Sequence, residues 1–358
     1  MTAWMLAALD ALVSCESPSS APEATRACGE VLTGLAGELL DSRPTVLESE
    51  GHSHLQFDWG IPKVLVLGHL DTVWPQGTLA RWPFSVEGDV ATGPGVFDMK
   101  AGVVQALYAL STLPSLEGVR LLLTSDEEIG SPTSRDIVLA AARGCRATLV
   151  CEPSAAGALK TARKGIALYE LTVSGRAAHA GLEPEKGANA GVALAHAVLR
   201  AAELGRADLG TTVTPTIMSA GTTSNTVPAT GRVALDVRAA LPAELDRVDR
   251  DLRAITARVS GTSVTVSGGV NRPPLDAASS AGLFETAQRL AGTLGLPALQ
   301  GVSVGGGSDG NFTAGAGIPT LDGLGAVGDG AHAEGEHVLV SQMEPRARLL
   351  AALLEELR

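Results

Sequence analysis

The sequence predicts an α/β protein with a second, inserted domain, and three observations predict it. Short unbroken apolar runs (Val64–Leu67, Leu121–Leu123 preceded by Val119, and Ala147–Cys151) read as strands buried on both faces, as in a mainly parallel sheet covered by helices. Helical spacing lies between them: Met99–Leu113 places apolar residues at 103, 104, 107, 110 and 113, and Ile137–Ala142 is a shorter helix. From Gly165 the texture changes to β-α-β-β-α-β, the ferredoxin-like split βαβ unit. The chain has 358 residues, and ~150 residues per domain gives about two domains.

Taken in order, Trp4, Leu6, Leu9, Leu12 and Val13 fit an amphipathic first helix that stops near Ser17-Pro18. The first basic residue is Arg26, so Met1–Cys15 lacks the basic start of a secretion signal. His52 and His54 read as solvated residues of a polar loop. In the insert, Ile166–Ser174 alternates as a strand, Gly187–Leu204 is an alanine-rich helix, and Thr211–Ala220 and Gly231–Ala239 are strands joined by Gly221–Pro228. Leu241–Val259 is helical, and Ser263–Ser267 alternates again. Asn271-Arg272-Pro273-Pro274 reads as a linker, with Lys160, Arg163 and Lys164 as surface charges at the other junction. Helix Ala281–Leu294, strand Gln300–Val304 and helix Pro345–Leu357 return to α/β. The expected division is therefore 1–164 with 273–358 as one discontinuous domain, and 165–272 as the insert.

Composition narrows the function. Lysine plus arginine number 27 against 39 acidic residues, a formal charge of −12. A nucleic-acid binder needs a basic stripe, and 3% aromatics leave little for base stacking. No apolar run approaches the ~18 residues that span a bilayer. Cys15, Cys28, Cys145 and Cys151 fit neither a disulfide framework nor a CxxC ligand pair, so the expected setting is the reducing cytoplasm.

Acidic and imidazole groups follow the predicted strands: His69 and Asp71 the first, Glu127 and Glu128 the second, Glu152 the third. Parallel strands would project all of them from one carboxyl edge, where open α/β sheets hold their sites. Asp98 precedes the helix at Met99, and His332 and His337 lie in a loop-rich stretch. Singly, these read as an N-cap, a strand-end turn or solvated acids. Together they suit a borderline divalent metal, and paired metals need a bridging carboxylate with terminal ligands on each side. Of Glu127 and Glu128, one could ligate while the other holds the proton of an attacking water.

Seven segments, in order, resemble the co-catalytic zinc carboxypeptidase and deacylase family. It includes bacterial glutamate carboxypeptidases, aminoacylases, acetylornithine deacetylases and succinyl-diaminopimelate desuccinylases. The segments are Gly68–Val73, Gly93–Lys100, Asp126–Ser131, Gly175–Gly181, Ser224–Pro228, Asp236–Arg238 and Gly330–Val338. The resemblance implies two zinc ions, for which cobalt or manganese could substitute. Asp98 would bridge them, with His69 and Glu152 on one and Glu128 and His332 on the other; His337 is the second candidate for the last ligand. Asp71 would orient His69 through its imidazole N–H, and Glu127 would be the general base. The insert would be the lid and dimerisation domain of a homodimer. His179 would reach across to the partner's site, as in dimeric relatives, and stabilise the oxyanion, and Asn225 and Arg238 would contact a small acylated amino acid or short peptide. Gly93-Pro94-Gly95 before Asp98 leans towards the glutamate carboxypeptidase branch; an N-acyl-amino-acid deacylase is the alternative.

Two rival patterns share one stretch. Gly306-Gly307-Ser308-Asp309-Gly310 satisfies the Gly-x-Ser-x-Gly elbow of a serine hydrolase, with Asp322 or Asp329 and His332 following, yet Asn311–Pro319 is too glycine-rich for a firm elbow helix. Gly305-x-Gly307-x-x-Gly310 also fits a dinucleotide pattern, but the helix it requires is not expected there, and a flexible substrate loop or tight turns fit better. A non-catalytic metal-binding module should have lost ligands or base, and this chain keeps all of them.

Overall fold

Val64–His69 forms a strand in which every residue is buried. Its side chains alternate between two cores: Val64 and Val66 pack with one cluster, Leu65 and Leu67 with another. A strand covered on both faces has no polar side, hence the unbroken apolar run. The computed structural model describes residues 2–358. It divides into a first unit, made of the chain up to Ala162, Leu275–Val304 and Ser308–Arg358, and a second, Arg163–Pro274 with Gly305–Gly307.

The first unit begins with α1 (Thr2–Val13), α2 (Pro22–Leu40), β1 (Thr45–Ser49), β2 (His52–Trp59) and β3 (Val64–His69). A hairpin of β4 (Ser85–Glu87) and β5 (Val90–Thr92) precedes α3 (Ala101–Ser111), β6 (Val119–Thr124), α4 (Arg135–Ala142), β7 (Ala147–Val150) and β8 (Leu159–Arg163). The second unit contains β9 (Gly165–Ser174), α5 (Ala190–Ala202), β10 (Thr212–Ala220), β11 (Thr230–Ala239), α6 (Pro242–Arg253) and β12 (Ser263–Arg272). The chain then adds α7 (Ala277–Thr293), β13 (Gly301–Val304), α8 (Gly310–Gly315), β14 (Thr320–Leu321), β15 (Gly328–Asp329), β16 (His337–Leu339) and α9 (Val340–Leu357) to the first.

The main sheet runs β1-β2-β6-β3-β7-β14. Its last four strands are parallel, while β1 and β2 add an antiparallel edge. One face packs against α1, α2, α3, α7 and α9; the other meets α4 and Phe312 of α8. In the second unit, antiparallel β10-β11-β9-β12 buries Ala167, Tyr169, Leu171 and Val173 with α5 and α6. The opposite face leaves Leu168 exposed, so this sheet alternates where the first does not. Asn189 caps α5 by accepting from Val192 N–H, and Asp276 caps α7 by accepting from Ser279 N–H.

Several local expectations are corrected. His52 and His54 are buried members of β2, not loop residues. His52 Nδ1 lies 3.2 Å from the Ser125 carbonyl, and His54 bonds Ser125 N–H and Thr133 Oγ1. Backbone partners beyond β6 make burial of these rings tolerable. Asn271 and Arg272 continue β12 rather than forming a linker, and α6 ends at Arg253 instead of Val259. Arg163 is buried, donating to the Gly306 and Gly307 carbonyls, and Lys160 is largely buried beside Glu152. At Gly310 the chain opens only the six-residue α8, in keeping with the expectation that no helix of useful length starts there.

Candidate metal centre

The parallel order β6-β3-β7 brings three strand ends to one edge. His69 is the last residue of β3 and pairs in register with Thr124, the last of β6, while Leu67 pairs with Val150, the last of β7. Glu127 and Glu128 occupy the turn after β6, and Glu152 lies two residues past β7. Asp98 arrives from the turn Val96–Lys100 before α3, across a cis Asp98–Met99 peptide.

These groups converge. His69 Nε2 lies 3.4 Å from Asp98 Oδ1 and 3.5 Å from Glu152 Oε1. On the other side, His332 Nε2 lies 3.4 Å from Asp98 Oδ2 and 3.0 Å from Glu128 Oε2. Ligand atoms of His69, Glu127 and Glu152, and separately of His69, Asp98 and Glu128, fall within 4.8 Å of one another. His337 instead bonds the Gly335 carbonyl through Nδ1. His332 sits at φ 63, a backbone state unusual for a side-chain-bearing residue.

Three buried atoms, His69 Nε2, Asp98 Oδ1 and Glu128 Oε1, make no hydrogen bond among the described residues. Orphaned buried polar atoms are costly unless something not made of protein satisfies them. Two imidazoles and several carboxylates form a nitrogen and oxygen donor set that suits zinc, and also cobalt or manganese. Charge tells the same story. Burial opposes ionisation of Asp98, but His332 and His69 hold its carboxyl well below the usual range. Burial, and then the charge of Asp98, push Glu128 up to about 7, against the pull of His332. Asp98 and Glu128 raise His332 to about 10. His69 rises well above its ordinary value despite burial, because Asp71, Asp98 and Glu152 face it. The cluster demands positive charge.

Asp71 meets the His69 ring chiefly through its backbone. His69 Nδ1 bonds the backbone carbonyl of Asp71 at 2.9 Å, and the Asp71 carboxylate is 3.5 Å away. A carbonyl only accepts, so in the neutral ring the proton sits on Nδ1 and Nε2 faces Asp98 and Glu152 with its lone pair. The carboxylate accepts from Glu127 N–H at 3.2 Å, Glu128 N–H at 3.1 Å and Ser19 Oγ at 2.6 Å. Asp71 thus sets the turn that carries both glutamates. The sequence reading gave no site role to Ser19, nor to Glu336 of the Gly330–Val338 segment, which accepts four hydrogen bonds around Asp98 and whose carboxyl is raised by burial.

Ser308 is no nucleophile. Its Oγ is fully buried, donating to Asp322 Oδ2 and accepting from Gly310 N–H, and it meets no histidine. The turn buries this hydroxyl at the start of α8.

His179, Asn225 and Arg238 belong to the second unit. Ala180 N–H donates to the Asn225 carbonyl at 2.9 Å, so the segments carrying His179 and Asn225 lie side by side, both exposed. His179 Nδ1 accepts from Gly181 and Leu182 N–H, leaving Nε2 as the protonated nitrogen of the neutral ring. Arg238 is engaged by Asp236 through Nε at 2.7 Å and Nη2 at 2.8 Å.

Residues 65–356 match the family described as Peptidase family M20/M25/M40. Carboxypeptidase G2 of Pseudomonas sp. (strain RS-16) is 32% identical over 98% of this chain and 88% of its own. Among solved structures, aminopeptidase PepT of Bacillus cereus superposes with a TM-score of 0.77 at 22% identity, covering 100% of this chain and 99% of the other. The M20 family metallo-carboxypeptidase Sso-CP2 of Sulfolobus solfataricus gives 0.75 at 16%, covering 98% of both.

Proposed function

The chain belongs to Peptidase family M20/M25/M40 and is a metallohydrolase, and from that premise we propose that it is a two-zinc, glutamate carboxypeptidase-like exopeptidase. It would cleave the amide bond to an amino acid bearing a free carboxylate. The carrying observation is Asp98, which turns one oxygen to His69 and the other to His332, each at 3.4 Å. In this reading Asp98 would be the ligand shared by both zinc ions, His69 and Glu152 would hold one, and Glu128 and His332 would hold the second. When bound, such a pair polarises a carbonyl and acidifies water at neutral pH.

The chain's own residues supply the remaining steps. Glu127, beside His69 and Glu152, takes the proton of the attacking water and passes it to the leaving nitrogen. The His179 Nε2–H donates to the developing oxyanion. Arg238 binds the substrate carboxylate through Nη1, the part of its fork that Asp236 leaves open, and Asn225 adds a further polar contact. Edge strand β10 exposes Ile217 and Met218, and α5 exposes Val192 and Leu199, which supports a homodimer formed through the second unit.

Metal analysis by mass spectrometry on the purified chain should find about two zinc ions per chain. A panel led by acyl-glutamates and glutamyl-terminal dipeptides then separates exopeptidase from N-acyl deacylase. Glu127→Gln should lower kcat by ~10²–10⁴, the usual contribution of a general base, with metal content unchanged. Failure to take up any metal, or full turnover by Glu127→Gln, would sink the proposal.

A further inference from the structure

Glu336 lies four residues after His332, is fully buried, and stands outside the proposed ligand set. Its Oε1 accepts from Phe97 N–H at 2.8 Å and Asp98 N–H at 2.9 Å. Its Oε2 accepts from Gly95 N–H at 2.9 Å and from the Trp74 indole N–H at 2.8 Å. No lysine or arginine pairs with it among the described residues, so four neutral donors solvate the whole carboxylate. Gly95 is itself in the left-handed region, at φ 72, and a Cβ there would lie 2.4 Å from Thr72 Cγ2. The turn that delivers Asp98 is thus constrained from both sides.

The donors belong to two segments that approach the cluster independently. One is the turn that carries Asp98; the other follows Asp71 on the exit from β3. Glu336 supplies a third, because its own loop carries His332. The backbone that aims Asp98 and the backbone that aims His332 therefore meet at one carboxylate.

We propose that Glu336 is a positioning residue for the metal centre, setting Asp98 and His332 in mutual register so that one carboxylate faces both metal positions. The inference rests on the two-metal reading above. It makes Glu336 act through the ligands, since all four of its partners are N–H groups, three of them in the turn that carries Asp98. A side chain that merely filled space would affect folding; one that sets register must also affect how a metal is held.

The test uses cobalt(II) added to the metal-free full-length chain, with affinity read by competition against a chelator and geometry read from the visible absorption bands. Glu336→Gln keeps the shape but turns one N–H₂ group towards N–H donors. It should weaken cobalt binding by ~10–100-fold, the usual effect of losing a residue that orients metal ligands, and should shift the bands. Glu336→Asp keeps the charge but withdraws it, and should fall between Glu336→Gln and the parent. Parent affinity and parent bands in Glu336→Gln would overturn the inference, as would weaker binding with unchanged bands and a matching loss of thermal stability. Should Glu336→Gln fail to fold, Glu336→Asp is judged by the same criteria. A parent chain that takes up no cobalt would instead remove the two-metal reading, and this inference with it.

Discussion

Asp126, Glu127 and Glu128 are consecutive acids with three different surroundings. Asp126 Oδ2 accepts from Thr133 N–H, Thr133 Oγ1 and Ser134 N–H, which ties the turn to the start of α4. Only the two glutamates reach the cluster, on a backbone whose amides Asp71 holds. The strand-end acids were readable in the sequence because the rule behind them is local: a buried parallel strand followed by ionisable residues. The bonding of Glu336 was not readable, because its partners, three backbone amides and the Trp74 indole N–H, lie 238 to 262 residues earlier. His54 was misread for a related reason, since its burial depends on Ser125 and Thr133 rather than on its neighbours. Ser308 offers a residue-scale prediction. Ser308→Ala removes a buried hydroxyl bond to Asp322 and should lower stability by ~1 kcal/mol in urea unfolding, while turnover stays within a few-fold of the parent. Abolished turnover with metal retained would restore the serine reading.

At the scale of elements, the sequence conveyed those whose pattern is strong. β3, β6 and β7 have continuous apolar runs, and β9 and β11 alternate. The pair α2 and β2 was missed: α2 carries Gly29, Gly34 and Gly37, poor helix formers, and is held by packing of Cys28, Leu32 and Ala36. α6 buries Leu245, Val248 and Leu252 and carries an ionic anchor. Arg247 donates to both oxygens of Glu244 at 2.8 and 2.7 Å, and Thr211 Oγ1 adds a bond at 2.8 Å. Arg247 first, then Thr211, bring the Glu244 carboxyl down to about 2 against the effect of burial. An unfolded glutamate titrates near ~4.3, so this contribution is fully present above that pH and is lost as pH falls towards about 2. Urea midpoints measured from pH 5 to pH 2.5 should therefore fall less steeply for Glu244→Gln than for the parent. Parallel profiles would show that the pair carries no such linkage.

For the molecule as a whole, the exposed edge of β10 is the feature that matters most. Ile217 is 72% and Met218 62% exposed on a strand with unpaired backbone groups. Natural edges of this kind are covered or charged, and in this chain the proposed cover is a second copy. Replacing both residues with lysine should shift sedimentation from dimer to monomer while metal content stays at the parent value. A parent chain that sediments as a monomer at micromolar concentration would remove the homodimer from the proposal. That edge could not be read beforehand, since reading Thr211–Ala220 as a strand does not say which strand ends a sheet.

The chain order of the first unit also sets a timetable for synthesis. Residues 163–274 contribute one continuous stretch to the second unit, so they can condense while the ribosome is still working. His69, Asp98, Glu128 and Glu152 have by then been made, but His332 and Glu336 come about 180 residues after Glu152. At ~5–20 residues per second that gap lasts roughly 10–35 s. Throughout it, a nascent chain would lack the His332 ring that faces Glu128 and the Glu336 carboxylate that accepts from Phe97 and Asp98 N–H. On the proposed reading, metal capture at full affinity would therefore wait until His332 and Glu336 have been made.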